Sequence, residues 1–335
     1  MITVDTTIKS VINGKRIIIA GGLGFIGSNL AHQCLKLGAD VTIYDCLDPH
    51  SGGNLYNVNS IKNDISLCYM DILNFDQLAS QIANKDYFIN CAASTSHPFS
   101  MREPWIDLDV NSRGVINILE AIRRFNPEVK MIHLGSSTQI GKLTYSPADE
   151  KHPEFPTDIY SANKSVSEKY VLIYARAYGL RTSVIRLSNV YGPRASIHSP
   201  DFTFINYFIG QALQNKTITV FGKGLQKRNV IYIDDVISAI FKALASDKTD
   251  GHALFVVADD HFSVADIANT TAEIMGGDVM YVSWPKERKA VEIGDAILSN
   301  KKARLFLDWS PQFCLRDGLI ETQKYFCDCL NHYLR

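Results

Sequence analysis

Tyr160 and Lys164 stand four residues apart in Tyr160-Ser161-Ala162-Asn163-Lys164. On a helix that spacing puts both side chains on one face. A phenol is a poor base near neutrality because its ordinary pKa is about 10. An adjacent ammonium favours the phenolate. Bringing the phenol to near 7 takes about three pKa units, or about 4 kcal/mol of differential stabilisation. Upstream, Ser136 in Ser136-Ser137-Thr138 offers a hydroxyl that can orient a substrate oxygen. A general base, an orienting donor and a hydride acceptor are what alcohol oxidation needs.

A site for the hydride acceptor is written near the start of the chain. Gly21-Gly22-Leu23-Gly24-Phe25-Ile26-Gly27 follows the apolar run Arg16-Ile17-Ile18-Ile19-Ala20 and opens a helix-like segment. Glycines at 21, 24 and 27 let the backbone turn tightly and approach a pyrophosphate. The free N–H groups and the positive end of the following helix stabilise its charge. Asp45 ends the next strand, eighteen residues beyond Gly27. A carboxylate there accepts the ribose hydroxyls of an adenosine and repels a 2′-phosphate, so NAD is expected rather than NADP. Lys164 together with the positive nicotinamide ring of NAD⁺ is then expected to supply the shift of the Tyr160 phenol. Asp71 and Ile72, after the third strand, are candidates for the adenine edge, although a helix-starting aspartate has the same spacing. Ala92 and Ala93, after the fourth strand, are small enough to pass under a dinucleotide.

These groups need a scaffold that brings strand ends together. Strand-like runs at 17–20, 41–44, 66–70, 87–90, 130–134 and 182–187 alternate with periodic segments at 26–37, 75–83, 104–125 and 159–178. The alternation predicts an α/β fold, a Rossmann-type doubly wound parallel sheet with helices on both faces. Continuously apolar strands fit burial on both sides. Beyond Leu187 the pattern changes: 189–200 reads as loop, 204–213 as helix, and 218–221, 230–233 and 253–257 as strands. Residues 263–275 read as a helix with Ser263 and Asp266 spaced for a capping box. The expected division is a dinucleotide-binding domain at 1–187 plus about 229–258. A smaller C-terminal α/β substrate lobe takes 188–228 plus about 259–335.

Composition sets outer limits. The 335 residues carry a formal net charge of −1, so nothing global favours nucleic acid or an anionic membrane. No apolar run reaches membrane-spanning length, and residues 1–14 are too polar for a secretory signal. Seven scattered cysteines, an odd number without zinc-ligand spacing, suggest reduced thiols and a cytoplasmic protein. The segments 104–125 and 159–178 carry more apolar positions than one sheet face needs, which suggests a homodimer, although a thick core explains the same pattern.

Taken together, the motifs resemble the extended short-chain dehydrogenase/reductase family, in particular its nucleotide-sugar epimerases and dehydratases. The resemblance covers the glycine turn, Asp45, Asp71-Ile72, Cys91-Ala92-Ala93, Asn111, Ser136, Tyr160-x-x-x-Lys164 and 186–193. It continues through Phe221-Gly222-Lys223-Gly224, Arg228 and 232–236. It implies that Asn111 belongs to the cofactor site, that Asn189 touches a sugar diphosphate, and that Arg228 and Arg288 bind its phosphates. A guanidinium suits that role because its forked donors match phosphate oxygens.

The same resemblance sorts the reactions. The 4,6-dehydratases place Asp-Glu just after the Ser/Thr, and the decarboxylases place a glutamate at the second position; here Ser137 and Thr138 stand there. Elimination is disfavoured, and epimerisation at C4 in the manner of UDP-glucose 4-epimerases is expected. Tyr160 then removes the 4-hydroxyl proton, NAD⁺ takes the C4 hydride, and hydride returns to the other face of the 4-keto sugar. A 4-keto-sugar reductase, a C2 or C3/C5 epimerase, and a non-catalytic NAD-binding regulator are the alternatives. The chain departs from the family at Gln139-Ile140-Gly141, where Val-Tyr-Gly is usual, and at Asn163, where Ser or Thr is usual. His97, in a segment expected to line the sugar pocket, and His198 are either extra acid–base groups or hydrogen-bonded loop histidines.

Overall fold

The computed structural model describes residues 6–286, 289 and 292–334. Its first half runs α1 (Thr6–Ile12), β1 (Arg16–Ala20), α2 (Phe25–Lys36), β2 (Asp40–Asp45), β3 (Ser66–Tyr69), α3 (Phe75–Ile82) and β4 (Tyr87–Asn90). Next come α4 (His97–Arg102), α5 (Pro104–Leu108), α6 (Gly114–Phe125), β5 (Lys130–Ser136), α7 (Ile159–Tyr178) and β6 (Thr182–Leu187). The remainder runs β7 (Asn189–Tyr191), α8 (Phe204–Leu213), β8 (Ile218–Phe221), β9 (Lys227–Tyr232), α9 (Ile233–Ala245) and β10 (Ala253–Val256). Last are β11 (His261–Ser263), α10 (Val264–Met275), β12 (Val279–Val282), α11 (Lys301–Leu307) and α12 (Leu315–Cys327).

The apolar runs form one parallel seven-stranded sheet in the order β10-β6-β5-β4-β1-β2-β3. Alternate side chains feed two cores, as the strand pleat requires. Ile17, Ile19, Val41, Ile43 and Ile185 join Leu30 of α2 and Val236 of α9 on one face. Ile18, Tyr44, Phe88, Met131 and Val184 join Leu78 of α3, Ile118 of α6 and Val171 of α7 on the other. The winding reverses between β1 and β4, and open α/β sheets bind ligands beyond the strand ends at that point. The carboxyl ends there lead into Gly21, Asp45, Ala92 and Ser136, which is how distant motifs come to share one place.

Two features were not expected. The segment 104–125 is helical throughout, but between α5 and α6 its turn Asp109–Arg113 is π-helical and buries Asn111 and Ser112. An extra residue per turn leaves the apolar pattern almost intact, so periodicity did not reveal it; such turns are frequent at functional sites. Residues 189–191, expected as loop, form β7, which pairs with β9; β9 in turn pairs with β11. Three residues are too few for an alternation to register. A parallel pair of β8 and β12 completes the sheets described.

Behind Ser136 lies a buried charge network. Arg186 on β6 donates from Nε to Glu168 Oε2 (2.7 Å) and from Nη2 to Glu168 Oε1 (2.5 Å) and Glu154 Oε1 (3.0 Å). Gln139 Nε2 donates to both carboxylates at 3.1 Å. This accounts for Gln139 at a position expected to be apolar: its amide satisfies acceptors that would otherwise be buried with fewer partners. It also fastens the segment after β5 to α7, which carries Tyr160.

Candidate active site

The glycine turn fits a dinucleotide phosphate. Gly21 has φ +73°, and a Cβ on it would lie 2.7 Å from Ala92 N, so β1 and β4 can end side by side only with glycine there. A Cβ on Gly27 would overlap the Gly21 carbonyl oxygen and lie 2.8 Å from Gly22 Cα. Gly24 differs. A Cβ there would meet only Gly21 O, at 3.3 Å, and the residue faces the cleft. Gly24 is also the N-cap of α2 and offers no side chain to its first N–H groups, which leaves them for an anion.

Asp45 closes the adenosine end. Its Oδ2 accepts from Leu23 N (2.9 Å) and its Oδ1 from Leu47 N (2.8 Å). Burial pushes its carboxyl above the ordinary value, and these two N–H bonds oppose that rise. Asp71 Oδ1 accepts from Leu73 N (2.9 Å) in a local turn, and Asp71 also lines the cleft.

One continuous cleft joins both motifs. Gly21, Gly24, Phe25, Ile26, Gly27, Asp45, Asp71, Ile72, Ala92 and Ala93 line it together with Ser136, Tyr160, Lys164, Asn189 and His97. Asn111, Arg228 and His198 are not among its lining residues, and Arg288 lies outside the described residues. Asn111 sits just behind the wall: its Nδ2 donates to Ser94 O (2.8 Å), and its buried Oδ1 has no partner among the described residues. Arg228 donates from Nη2 to Glu292 Oε1 (2.6 Å) and from Nη1 to Lys227 O (2.9 Å) and Gly294 O (2.6 Å). His198 touches Ser196 Oγ (3.3 Å) and the Phe202 ring.

Sequence reasoning missed Asn206 and Asp158. Asn206 lines the cleft, and its Oδ1 is buried without a partner among the described residues. Asp158 caps α7 by accepting from Ser161 N (2.8 Å). An aspartate immediately before a helical Tyr-x-x-x-Lys is itself a cap signal that could have found it. Asn163, the departure noted above, bridges Asp107 Oδ1 (2.8 Å) and Ser112 Oγ (3.2 Å), tying α7 to α5 and the π-turn.

The hydroxyls near Tyr160 form a directed chain. Ser161 Oγ donates to Thr138 Oγ1 (3.0 Å), and Thr138 Oγ1 lies 2.9 Å from Ser136 Oγ. With Thr138 donating onward, the Ser136 proton points into the site, to the Tyr160 oxygen in the protein alone and to a substrate oxygen when one is bound. Thr138 thus has a role in the site without being an acid.

In the protein alone, Lys164 is not among the groups that lower the Tyr160 phenol. Burial pushes the phenol up to about 12, against a lowering hydrogen bond from Ser136, and the Asp107 and Asp158 carboxylates add to the rise. The Lys164 ammonium donates to Leu134 O (2.6 Å), and burial brings it down to about 8. Beside it, Asn90 Nδ2 donates to His133 Nδ1 (3.1 Å), which leaves His133 Nε2–H to donate to Ser167 Oγ (3.3 Å). Burial and the nearby Lys164 charge hold His133 neutral, well below its ordinary value.

A lysine depressed to about 8 in the folded protein keeps its proton to about 10.4 when unfolded. Between those pH values the unfolded state binds more protons, so this group's contribution to stability rises with pH. Relative to Lys164→Met, the wild-type protein should gain about 3 kcal/mol from pH 8 to 10.5. Urea unfolding of both proteins across that range checks it; a constant difference would refute the buried charge.

The family model for the NAD dependent epimerase/dehydratase family matches residues 17–258. A Methanocaldococcus jannaschii protein named for UDP-glucose 4-epimerase is 31% identical over 307 residues, covering 90% of this chain and 95% of that one. CDP-paratose 2-epimerase of Salmonella typhi is 27% identical over 331 residues, covering 91% and 97%. The structure of Thermotoga maritima UDP-glucose 4-epimerase with UDP-glucose superposes with a TM-score of 0.84 at 27% identity, covering 94% of this chain and 99% of that one. The matched span holds the glycine turn, Asp45, Ser136, Tyr160, Lys164 and Arg228, and the chain belongs to the NAD dependent epimerase/dehydratase family.

Proposed function

We propose that the chain is an NAD-dependent epimerase of a nucleoside-diphosphate sugar, acting at C4 through a transient 4-keto sugar. One observation carries the reading: Tyr160 and Ser136 share a cleft with the glycine turn, and the positions that hold elimination carboxylates in related enzymes are Ser137 and Thr138. Gly21, Gly24, Gly27, Asp45, Asp71, Ile72, Ala92 and Ala93 would hold NAD, with Tyr160 and Lys164 at its nicotinamide end. When bound, NAD⁺ supplies a hydride acceptor and a positive charge beside the phenol. Tyr160 accepts the 4-hydroxyl proton and later returns it. Ser136 donates to the sugar O4 and holds it during the exchange. Asn189 and Asn206 take polar groups of the sugar diphosphate, and Arg228 reaches its phosphates by leaving Glu292. In this reading residues 188–228 and about 259–335 form the sugar lobe.

The Methanocaldococcus jannaschii and Thermotoga maritima relatives favour C4. The Salmonella typhi enzyme, named for inversion at C2, supports that alternative. Purified protein offered UDP-, GDP-, CDP- and dTDP-sugars without added oxidant separates the readings. An isomeric product with no net NADH supports the epimerase. Stoichiometric consumption of NAD(P)H supports a reductase, and absence of turnover supports a regulator.

The reading also includes a cytoplasmic homodimer. Among the described residues no helix is long and apolar enough to cross a membrane. Trp105 (77% exposed) and Leu108 on α5 lie one turn apart, and Val166 and Ile173 of α7 lie two turns apart. These exposed apolar side chains on neighbouring helices suit burial against a second copy. Sedimentation equilibrium giving a monomer mass would remove that part.

A further inference from the structure

The cleft holds one more titratable pair than inversion at C4 requires. Resting on the reading of a sugar that carries a C4 carbonyl, we infer that His97 is a second acid–base group of this site. Asp158 is its orienting partner, and its target is the hydrogen on a carbon next to that carbonyl.

His97 Nδ1 lies 2.7 Å from Asp158 Oδ2. An ionised carboxylate accepts, so Nδ1 carries a proton, and in the neutral ring Nε2 keeps its lone pair. Nε2 has no protein partner among the described residues, and the ring lines the cleft. It stands edge-on to the Tyr160 ring, with centroids 4.7 Å apart at 72°. Burial favours a raised Asp158 carboxyl, but the His97 hydrogen bond and charge and the Ser161 N–H outweigh it and hold the group below its ordinary value.

The pair is rigidly mounted. Ser96 caps α4 by accepting from Phe99 N (3.1 Å). Ser100 Oγ donates to His97 O (2.8 Å) and accepts from Tyr160 N (3.1 Å), so one serine fixes the two rings to each other. Asp158 is held by the helix that carries Tyr160. A fixed carboxylate and a fixed imidazole that lines the cleft, with no protein partner on Nε2 among the described residues, are the arrangement of a general base. His198 has no such carboxylate and stands off the cleft.

The chemistry balances without an oxidant once the ketone exists. A carbonyl at C4 acidifies the hydrogens on C3 and C5. His97 Nε2 takes one of these protons. The C–H electron pair becomes a carbon–carbon π bond while the carbonyl π electrons move onto O4, which the Ser136 and Tyr160 hydroxyls stabilise. Return of a proton from the imidazolium to carbon restores the ketone. If the imidazolium first exchanges with solvent, the returning hydrogen comes from water.

The test supplies the ketone ready-made. The holoenzyme in D₂O is given a saturating dTDP-4-keto-6-deoxyglucose, and proton NMR follows the C3 and C5 hydrogens. Wild-type protein should exchange one of them at least about 100-fold faster than buffer. His97→Gln should lose about 100-fold, and Asp158→Asn about 10-fold; asparagine still caps α7. NAD titration of both variants confirms that the fold is intact, and Asp158→Asn carries the test if His97→Gln does not fold. Background exchange with wild-type protein, or wild-type exchange in a folded variant, would overturn the proposal. Inversion at C4 of the UDP-hexoses is scored separately. Exchange without C4 inversion removes the C4 reading alone, and C4 inversion without exchange removes His97 alone.

Discussion

Tyr160→Phe should reduce turnover by at least 10²–10⁴-fold, the usual contribution of a positioned acid–base group, while NAD stays bound. The substitution deletes one oxygen. The ring keeps its edge contact with His97, and the main-chain bond from Tyr160 N to Ser100 Oγ is untouched. Ser136 and the hydroxyl chain behind it also remain, so the loss would measure proton transfer rather than collapse of the site. The effect should be large because the phenol stands at about 12 in the protein alone. Bringing it to near 7 takes about five pKa units, or about 7 kcal/mol. The positive charge beside the phenol in the loaded site has to supply most of it, because the Ser136 hydrogen bond already acts at that value. Steady-state rates with an NAD titration check this; a variant within about tenfold of wild type would remove the role given to Tyr160.

Gly27→Val should all but abolish NAD binding, by about 100-fold or more, and cost about 1–3 kcal/mol of stability, as overpacking does. The first carbon of any side chain there would run into the Gly21 carbonyl oxygen and the Gly22 Cα. Both are backbone atoms of the phosphate cradle, so the turn must open. Gly24→Ala is the informative contrast. Its methyl group would meet only Gly21 O, at 3.3 Å, and would project toward the cleft. That variant should keep nearly wild-type thermal stability and still lose NAD affinity. Equal effects of the two variants on stability would mean that Gly24 serves the fold rather than the phosphate.

Much of the scaffold could be read from the chain because most strands of the central sheet are apolar runs buried on both sides. Residues 87–90 and 182–187 form strands with the expected bounds. What escaped was local geometry without an apolar signature. The π-turn at Asp109–Arg113 preserves the spacing of buried residues while changing the hydrogen-bond pattern. β7 is too short to alternate. In the site, residue types announced the phosphate turn, Ser136, Tyr160 and Lys164 because each chemistry demands one kind of side chain. Where a charge ends up depends on partners far away in sequence. Lys164 spends its ammonium on Leu134 O, and Arg228 spends its guanidinium on Glu292 and two carbonyls. Spacing along a helix fixes the face a residue shares and leaves its nearest acceptor unspecified. The His97–Asp158 pair is the converse case: two polar residues sixty-one positions apart that only the packing of α4 against α7 brings into contact.

The most direct measurement uses a nucleoside-diphosphate hexose from the panel labelled with deuterium at C4. The account predicts a C4 epimer that retains the label on C4, with no net NADH and no loss of water. Release of the label to solvent, or a product oxidised, reduced or dehydrated relative to the substrate, would contradict it.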